Sequence, residues 1–192
     1  MSRKVVLDLC AGTGAWSEPW LEAGYNVRRI ALPTDVRLLE FPGTAHGILA
    51  APPCTMFCRM RMCRGRPTDE QFREALSVVD ACLRLVAVCK PDWWALENPV
   101  GYLKAWLGEP TLKFSPHHYG DPWTKATWLW GSFKPPKLRI VDPTMGPWIH
   151  RKKGKRGAAR SDHENAITAP GFARAFFEAN AELRAVEEQS NG

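Results

Sequence analysis

The sequence lacks a long apolar run and a secretion signal. None of its hydrophobic stretches approaches the roughly 20 residues that cross a bilayer, and Met1 to Lys4 do not form a signal peptide. At 192 residues the chain is long enough for one domain with a full core. We therefore expect a single domain over residues 1–192, in the cytoplasm and not in a membrane.

The sequence also lacks any C-x-x-C pair. Its six cysteines suit a reducing compartment as free thiols. Cys54, Cys58 and Cys63 lie close together, but no fourth ligand is near them in the sequence. Since structural zinc sites use four ligands, we expect no metal site.

Acidic residues are absent from one stretch, Arg151 to Arg160, and this stretch accounts for the net charge. It holds six of the 26 lysines and arginines, and without them 20 basic residues face 20 acidic ones. A concentrated basic stretch suits a phosphate backbone, although a solvated loop has the same composition. The predicted nucleic-acid contacts there are Arg151, Lys152, Lys153, Lys155 and Arg156, and Arg59 and Arg61 are predicted as further contacts.

Apolar runs alternate with helical patterns along the chain. Strands are predicted from Val5 to Cys10, Tyr25 to Leu32, Gly47 to Ala51, Trp93 to Leu96 and Lys125 to Trp130; helices are predicted from Ala15 to Ala23, from Thr68 to Lys90 and from Pro170 onward. This alternation predicts an α/β fold, a Rossmann-like, doubly wound and mostly parallel sheet.

A glycine turn follows the first predicted strand, at Asp8-Leu9-Cys10-Ala11-Gly12-Thr13-Gly14. Gly12 and Gly14 allow a ligand to approach the backbone, and the next helix favours an anionic group at its N-terminus. The third glycine of the dinucleotide fingerprint is missing, which argues against NAD.

Two further segments follow later predicted strands. Pro52-Pro53-Cys54 places a thiol on a stiff loop, and Arg59, Arg61 and two further arginines nearby could favour its thiolate. Glu97-Asn98-Pro99 adds a carboxyl group. Because open α/β sheets bind ligands at the carboxyl ends of their strands, we expect these segments to share a site with the glycine turn.

The order of these segments resembles that of the DNA cytosine-5 methyltransferase family. The resemblance implies that Cys54 attacks the cytosine ring, that Glu97 holds the base, and that Lys125 replaces an arginine of the family. It also implies S-adenosyl-L-methionine as the cofactor and DNA as the partner. The implied cofactor residues are Asp8, Leu9, Cys10, Ala11, Gly12, Thr13, Gly14, Trp16, Asp35, Pro52, Asn165 and Ala166.

The sequence departs from the family in two places. Ile30-Ala31-Leu32-Pro33 has no acidic residue to bind the cofactor ribose, unless Asp35 serves. Residues 131–164 form a short, basic loop region where the family inserts a target-recognition domain. We therefore expect low or very short sequence specificity, as few residues remain to read base edges.

Three alternatives stay open. The first is the same chemistry on RNA, and the second is a catalytically silent nucleic-acid-binding relative. The third is transfer of a group other than methyl in a phage-like modification pathway, with which the small size is compatible. A monomer is favoured.

Overall fold

The computed structural model describes residues 3–41, 43–59, 65–145 and 167–181. The strands are β1 (Val5–Leu9), β2 (Asn26–Ile30), β3 (Gly47–Ala50), β4 (Trp93–Pro99), β5 (Leu112–Phe114) and β6 (Thr127–Ser132). The helices are α1 (Glu18–Glu22), α2 (Asp69–Cys89), α3 (Lys104–Leu107) and α4 (Pro170–Asn180), with 3₁₀ turns at Val36–Leu38 and Pro116–His118.

The strands form one six-stranded sheet in the order β2-β1-β3-β4-β6-β5. β2, β1, β3 and β4 are mutually parallel, whereas β6 runs antiparallel to both β4 and β5. Every residue of β3 is buried, as a central parallel strand with both faces covered requires. The predicted fold class, a mostly parallel α/β sheet, is confirmed.

Helices cover both faces of the sheet, so the sheet is doubly wound as predicted. On one face α2 packs Val79, Cys82 and Leu85 against strand residues such as Leu7 and Ile48. On the other face Trp20 of α1 and Phe176 of α4 share a second, aromatic core.

Helix α2 follows its sequence signals closely. The Thr68 hydroxyl accepts from the Gln71 amide at 3.2 Å, while the Gln71 side chain accepts from the Thr68 amide at 3.1 Å. Together they form the predicted capping box. The helix ends where Lys90 adopts a left-handed conformation. No helix in the described part of the chain is long and apolar enough to cross a membrane.

Several predicted boundaries are wrong. Helix α1 begins only at Glu18, because turns occupy the residues that follow Gly14. Strand β4 continues past Leu96 to Pro99, since β6 pairs with its last residues in antiparallel register. Strand β6 begins at Thr127, so Lys125 lies in the preceding loop. A pattern read along one strand does not reveal this cross-strand pairing.

Candidate active site

The predicted segments do meet at one edge of the sheet. Leu9 pairs with Ala50 in the β1–β3 ladder, and Ala50 pairs with Leu96 in the β3–β4 ladder. The glycine turn, the Pro52-Pro53-Cys54 loop and Glu97 therefore follow neighbouring positions at the carboxyl ends of three adjacent parallel strands. This is the edge at which open α/β sheets bind ligands.

The glycines of the turn have different roles. Gly12 has a φ of 54°, and a Cβ atom added there would meet nothing within 4 Å. A Cβ atom on Gly14 would lie 2.4 Å from Nε of Arg29. Gly14 is favoured by its φ of 74° and lies against the Arg29 side chain, whereas Gly12 is the position that leaves room for a ligand.

Asp8 lies buried beneath this turn, with 1% of its surface exposed. Burial raises its pKa to about 6, against the opposing effects of the Ser17 hydroxyl and the Arg29 guanidinium. Its Oδ2 atom has no hydrogen-bond partner among the described residues. Arg29 also donates from Nη2 to the Gly14 carbonyl at 3.1 Å and from Nε to the Ser17 hydroxyl at 3.0 Å, which braces the turn.

Asp35 lies close to the same turn. In the family that the sequence resembles, the acidic residue that binds the cofactor ribose comes earlier, at the end of the second strand. A hydrogen bond with the Cys82 side chain lowers the pKa of the Cys10 thiol, while burial and the carboxylates of Asp8 and Asp35 oppose that shift. Asp35 is therefore within electrostatic reach of Cys10 in the turn. It also caps the 3₁₀ turn at Val36–Leu38 and pairs with Arg37 at 2.7 Å.

These residues fit the cofactor that the resemblance implies. An orphaned carboxylate oxygen of Asp8, open space at Gly12 and the carboxylate of Asp35 suit a ligand that carries ammonium and hydroxyl groups. Trp16, also predicted to bind the cofactor, is buried in the aromatic core. It is 2% exposed, and its ring lies 6.0 Å from that of Phe172 and 5.6 Å from that of Phe176.

The loop that carries Cys54 is tied to the end of β4. Asn98 is fully buried and donates from Nδ2 to the Pro52 carbonyl at 3.0 Å. The Tyr102 amide donates to the Phe57 carbonyl at 2.7 Å, and a Cβ atom on Gly101 would lie 2.0 Å from that oxygen. No local sequence pattern reveals these positioning roles of Asn98 and Gly101, because such a pattern does not show which chain segment lies opposite.

Burial and the carboxylate of Glu97, with a smaller contribution from Cys58, raise the pKa of the Cys54 thiol to about 11. Among the described residues, the positive charge of Lys125 lowers this pKa. Of the arginines predicted to favour the thiolate, Arg59 is exposed and Arg61 lies outside the described residues.

Glu97 lines a pocket at this edge of the sheet. Its pKa is raised by burial, and the positive charge of Lys125 opposes that shift. The pocket is lined by Glu97, Phe114, Pro116, Trp123, Lys125, Thr127, Ile167, Thr168, Ala169 and Phe172. The structure thus brings the three predicted catalytic side chains, Cys54, Glu97 and Lys125, within electrostatic reach of one another.

Several predicted residues lie outside the described residues. Among the cofactor residues these are Asn165 and Ala166; among the nucleic-acid contacts they are Arg61, Arg151, Lys152, Lys153, Lys155 and Arg156. Ile167 and Thr168, which follow directly in the chain, do line the pocket. Across residues 3–41, 43–59, 65–145 and 167–181, no group of three or more His, Cys, Asp or Glu side chains could hold a metal ion.

Fold and site together define a doubly wound α/β domain with a ligand site at the carboxyl edge of its sheet. No family model matches the sequence, and no curated protein matches it. Among solved structures the chain is similar to an Escherichia coli prophage protein described as a DNA modification methyltransferase, at 19% identity and a TM-score of 0.47, over 76% of this chain and 51% of that one. It is also similar to the Entamoeba histolytica methyltransferase EhMeth, at 12% identity and a TM-score of 0.42, over 74% of this chain and 57% of that one. The chain thus spans about half the length of these two proteins.

Proposed function

We propose that this protein transfers a methyl group from S-adenosyl-L-methionine to C5 of cytosine in DNA, through a covalent bond between Cys54 and C6 of the base. The observation that carries the proposal is the convergence of a thiol, a half-buried carboxyl group and a lysine at the edge of the sheet that also carries the glycine turn. The order of the motifs along the chain supports the same reaction.

The chemistry needs a nucleophile, since C5 of cytosine reacts only after a group has added at C6. The Cys54 thiolate forms a bond from Sγ to C6, which places negative charge on C5 and on the N3 side of the ring. Glu97 keeps its proton more readily than an ordinary glutamate, because burial raises its pKa, and it can donate that proton toward N3. Lys125 supplies positive charge near both groups.

The bound cofactor supplies an electrophilic methyl group on its sulfonium. Once C5 is methylated, a base removes the C5 proton, and the electron pair restores the ring double bond while the bond from Cys54 to C6 breaks. Cys54 is thereby regenerated as a thiolate. The proton on N3 returns to Glu97, so the product base is neutral. A target in duplex DNA must rotate out of the stack to reach these groups, whereas a single-stranded target need not.

Mass analysis of nucleosides tests the proposal. DNA is incubated with the protein and S-adenosyl-L-methionine, then digested completely. We expect 5-methylcytosine with the native protein and with Cys58→Ala, which removes a nearby thiol of the same loop, but none with Cys54→Ala. Glu97→Gln should lower the rate by at least on the order of a hundredfold, a typical loss for a general acid.

The same experiment separates the alternatives. An RNA substrate that is methylated in preference to DNA would move the activity to RNA, and a larger mass increase would identify a different transferred group. DNA containing 5-fluorocytosine should trap the native protein covalently, because the fluorine at C5 cannot leave as a proton does. Failure to trap together with absence of any modified base would contradict the proposal and favour a silent binding relative.

A further inference from the structure

The pocket beside Glu97 has an aromatic wall that the reaction steps above do not use. Phe114 and Phe172 stack on each other with centroids 4.0 Å apart and planes inclined at 20°, and they are only 7% and 0% exposed. Trp123 lines the same pocket but is half-buried. It is therefore the pocket's more accessible aromatic ring.

The loop around Trp123 is anchored on both sides. Before it, Asp121 accepts from the Gly171 amide at 3.3 Å through Oδ1, and the Pro122 carbonyl accepts from the Met145 amide at 2.8 Å. After it, the Lys125 amide donates to the Ser115 hydroxyl at 3.0 Å. A loop that is held in place before a ligand arrives loses little conformational entropy on binding.

We propose that Trp123 stacks on the target base and thereby determines which ring the pocket accepts, an inference that rests on the proposed function. A base offers a planar π face for the indole and, at its edge, an amino group that suits the carboxyl group of Glu97. An aromatic ring can also bind the cofactor's sulfonium cation, but Lys125 already places a positive charge in this pocket. Two cations in one pocket repel each other, so a neutral planar ring fits better.

A fluorescent base at the target position tests the stacking. A single-stranded oligonucleotide whose one cytosine is replaced by pyrrolocytosine is bound to protein carrying Cys54→Ala, which cannot form the covalent bond. We expect binding to quench the analogue's emission. Adding Trp123→Leu should relieve the quenching, and Trp123→Phe, which retains a ring, should preserve most of it.

Steady-state methylation of the ordinary cytosine oligonucleotide provides the second measurement. Trp123→Leu in otherwise native protein should lower kcat/KM by about ten- to a hundredfold, the typical effect of removing one base-stacking aromatic. The affinity for S-adenosyl-L-methionine should stay unchanged. Trp106→Leu is the matched control, because Trp106 is 54% exposed on α3 and does not line the pocket.

Three results would overturn the inference. The Trp123→Leu variant could methylate cytosine and quench the analogue as well as the protein with Trp123 does. It could instead bind S-adenosyl-L-methionine more weakly while it still quenches the analogue. Trp123→Phe could also prove as defective as Trp123→Leu in both measurements. If the native protein methylates cytosine in these cases, only the stacking role fails; if it modifies no base at all, the proposed function fails and this inference with it.

Discussion

At the scale of single residues, the charge state of Cys54 is the central feature of the site. Burial and the carboxylate of Glu97 raise the pKa of the thiol to about 11, while Lys125 opposes them. A thiol with that pKa is ionised to only about one part in a thousand at pH 8. The proposed nucleophile is therefore suppressed until a substrate alters its surroundings.

We predict that Glu97→Gln makes Cys54 more reactive toward an alkylating reagent while it slows methylation. A carboxylate raises the pKa of a nearby thiol and a neutral amide does not, so the variant should hold more thiolate at the same pH. Alkylation by iodoacetamide, followed on the Cys54 peptide by mass spectrometry, should rise about tenfold per pH unit between pH 7 and 10 in the native protein. It should be faster in the variant at each pH. Cys58 in the same digest is the reference, and an unchanged or slower Cys54 rate would contradict this electrostatic role.

Asp8 gives a second prediction, because burial raises its pKa from 3.8 to about 6. Because the folded protein binds the Asp8 proton more tightly than the unfolded chain does, protonation of Asp8 stabilises the folded state. This contribution to the free energy of unfolding is complete below pH 3.8 and is lost as the pH rises through 6. Between pH 5 and pH 8 the native protein should lose roughly 1.4 kcal/mol of unfolding free energy through this group alone. Asp8→Asn should not show that loss.

Urea unfolding at the two pH values measures the difference. Asp142→Asn, a change at an exposed carboxylate, should follow the native protein. Equal pH dependence in the native protein and Asp8→Asn would mean that the Asp8 carboxyl group keeps an ordinary pKa in the folded state.

At the scale of secondary-structure elements, the site depends on how the end of β4 holds the loop after β3. Asn98 connects them through its bond to the Pro52 carbonyl. Asn180 near the end of α4 makes comparable bonds elsewhere, accepting from the Lys134 amide at 2.8 Å and donating to the Lys134 carbonyl at 3.1 Å. Both side chains are buried, which makes them a matched pair.

We predict that Asn98→Ala and Asn180→Ala each destabilise the protein by about 1–3 kcal/mol, since each removes a buried side chain that hydrogen-bonds the backbone of another segment. Only Asn98→Ala should also slow methylation, on the order of ten- to a hundredfold, because it releases the loop that positions Cys54. Urea unfolding and single-turnover methylation measure the two effects. Equal rates in the two variants would show that Asn98 does not position the nucleophile.

At the scale of the whole molecule, the candidate site lies at the carboxyl ends of the parallel strands, and the segment between β6 and α4 carries most of the predicted DNA contacts. After β6 the chain runs beside the 3₁₀ turn at Pro116–His118. There the Arg139 amide donates to the His118 carbonyl at 2.8 Å, and the Val141 amide donates to the His117 carbonyl at 2.9 Å. The basic stretch that follows lies outside the described residues. Its predicted contacts with phosphates would add affinity without sequence information.

We predict low sequence specificity as a consequence. Methylation mapped on random-sequence DNA should show cytosines modified in many contexts, with no motif of four or more fixed bases. Neutral substitutions at Arg151, Lys152 and Lys153 should weaken binding to all sequences alike and make it less salt-dependent. One dominant motif of four or more fixed bases would show that the protein reads base edges through residues not considered above.

The local features of this protein were readable from its sequence. Thr68 and Gln71 predict the start of α2, Pro170 predicts the start of α4, and apolar runs predict the parallel strands. These features depend on residues a few positions apart, so short-range propensity and periodicity suffice. The shared edge of Asp8, Cys54 and Glu97 was also predictable, because parallel strands present their carboxyl ends together.

Only the tertiary structure decided the properties that depend on distant parts of the chain. The antiparallel entry of β6 extends β4 to Pro99 and places Lys125 within electrostatic reach of Cys54 and Glu97. The sequence suggested a thiol favoured by neighbouring arginines, whereas burial and a carboxylate raise its pKa. Desolvation depends on burial, and Coulomb interactions depend on distances in space. Both are set by the tertiary fold and cannot be read from the order of residues along the chain.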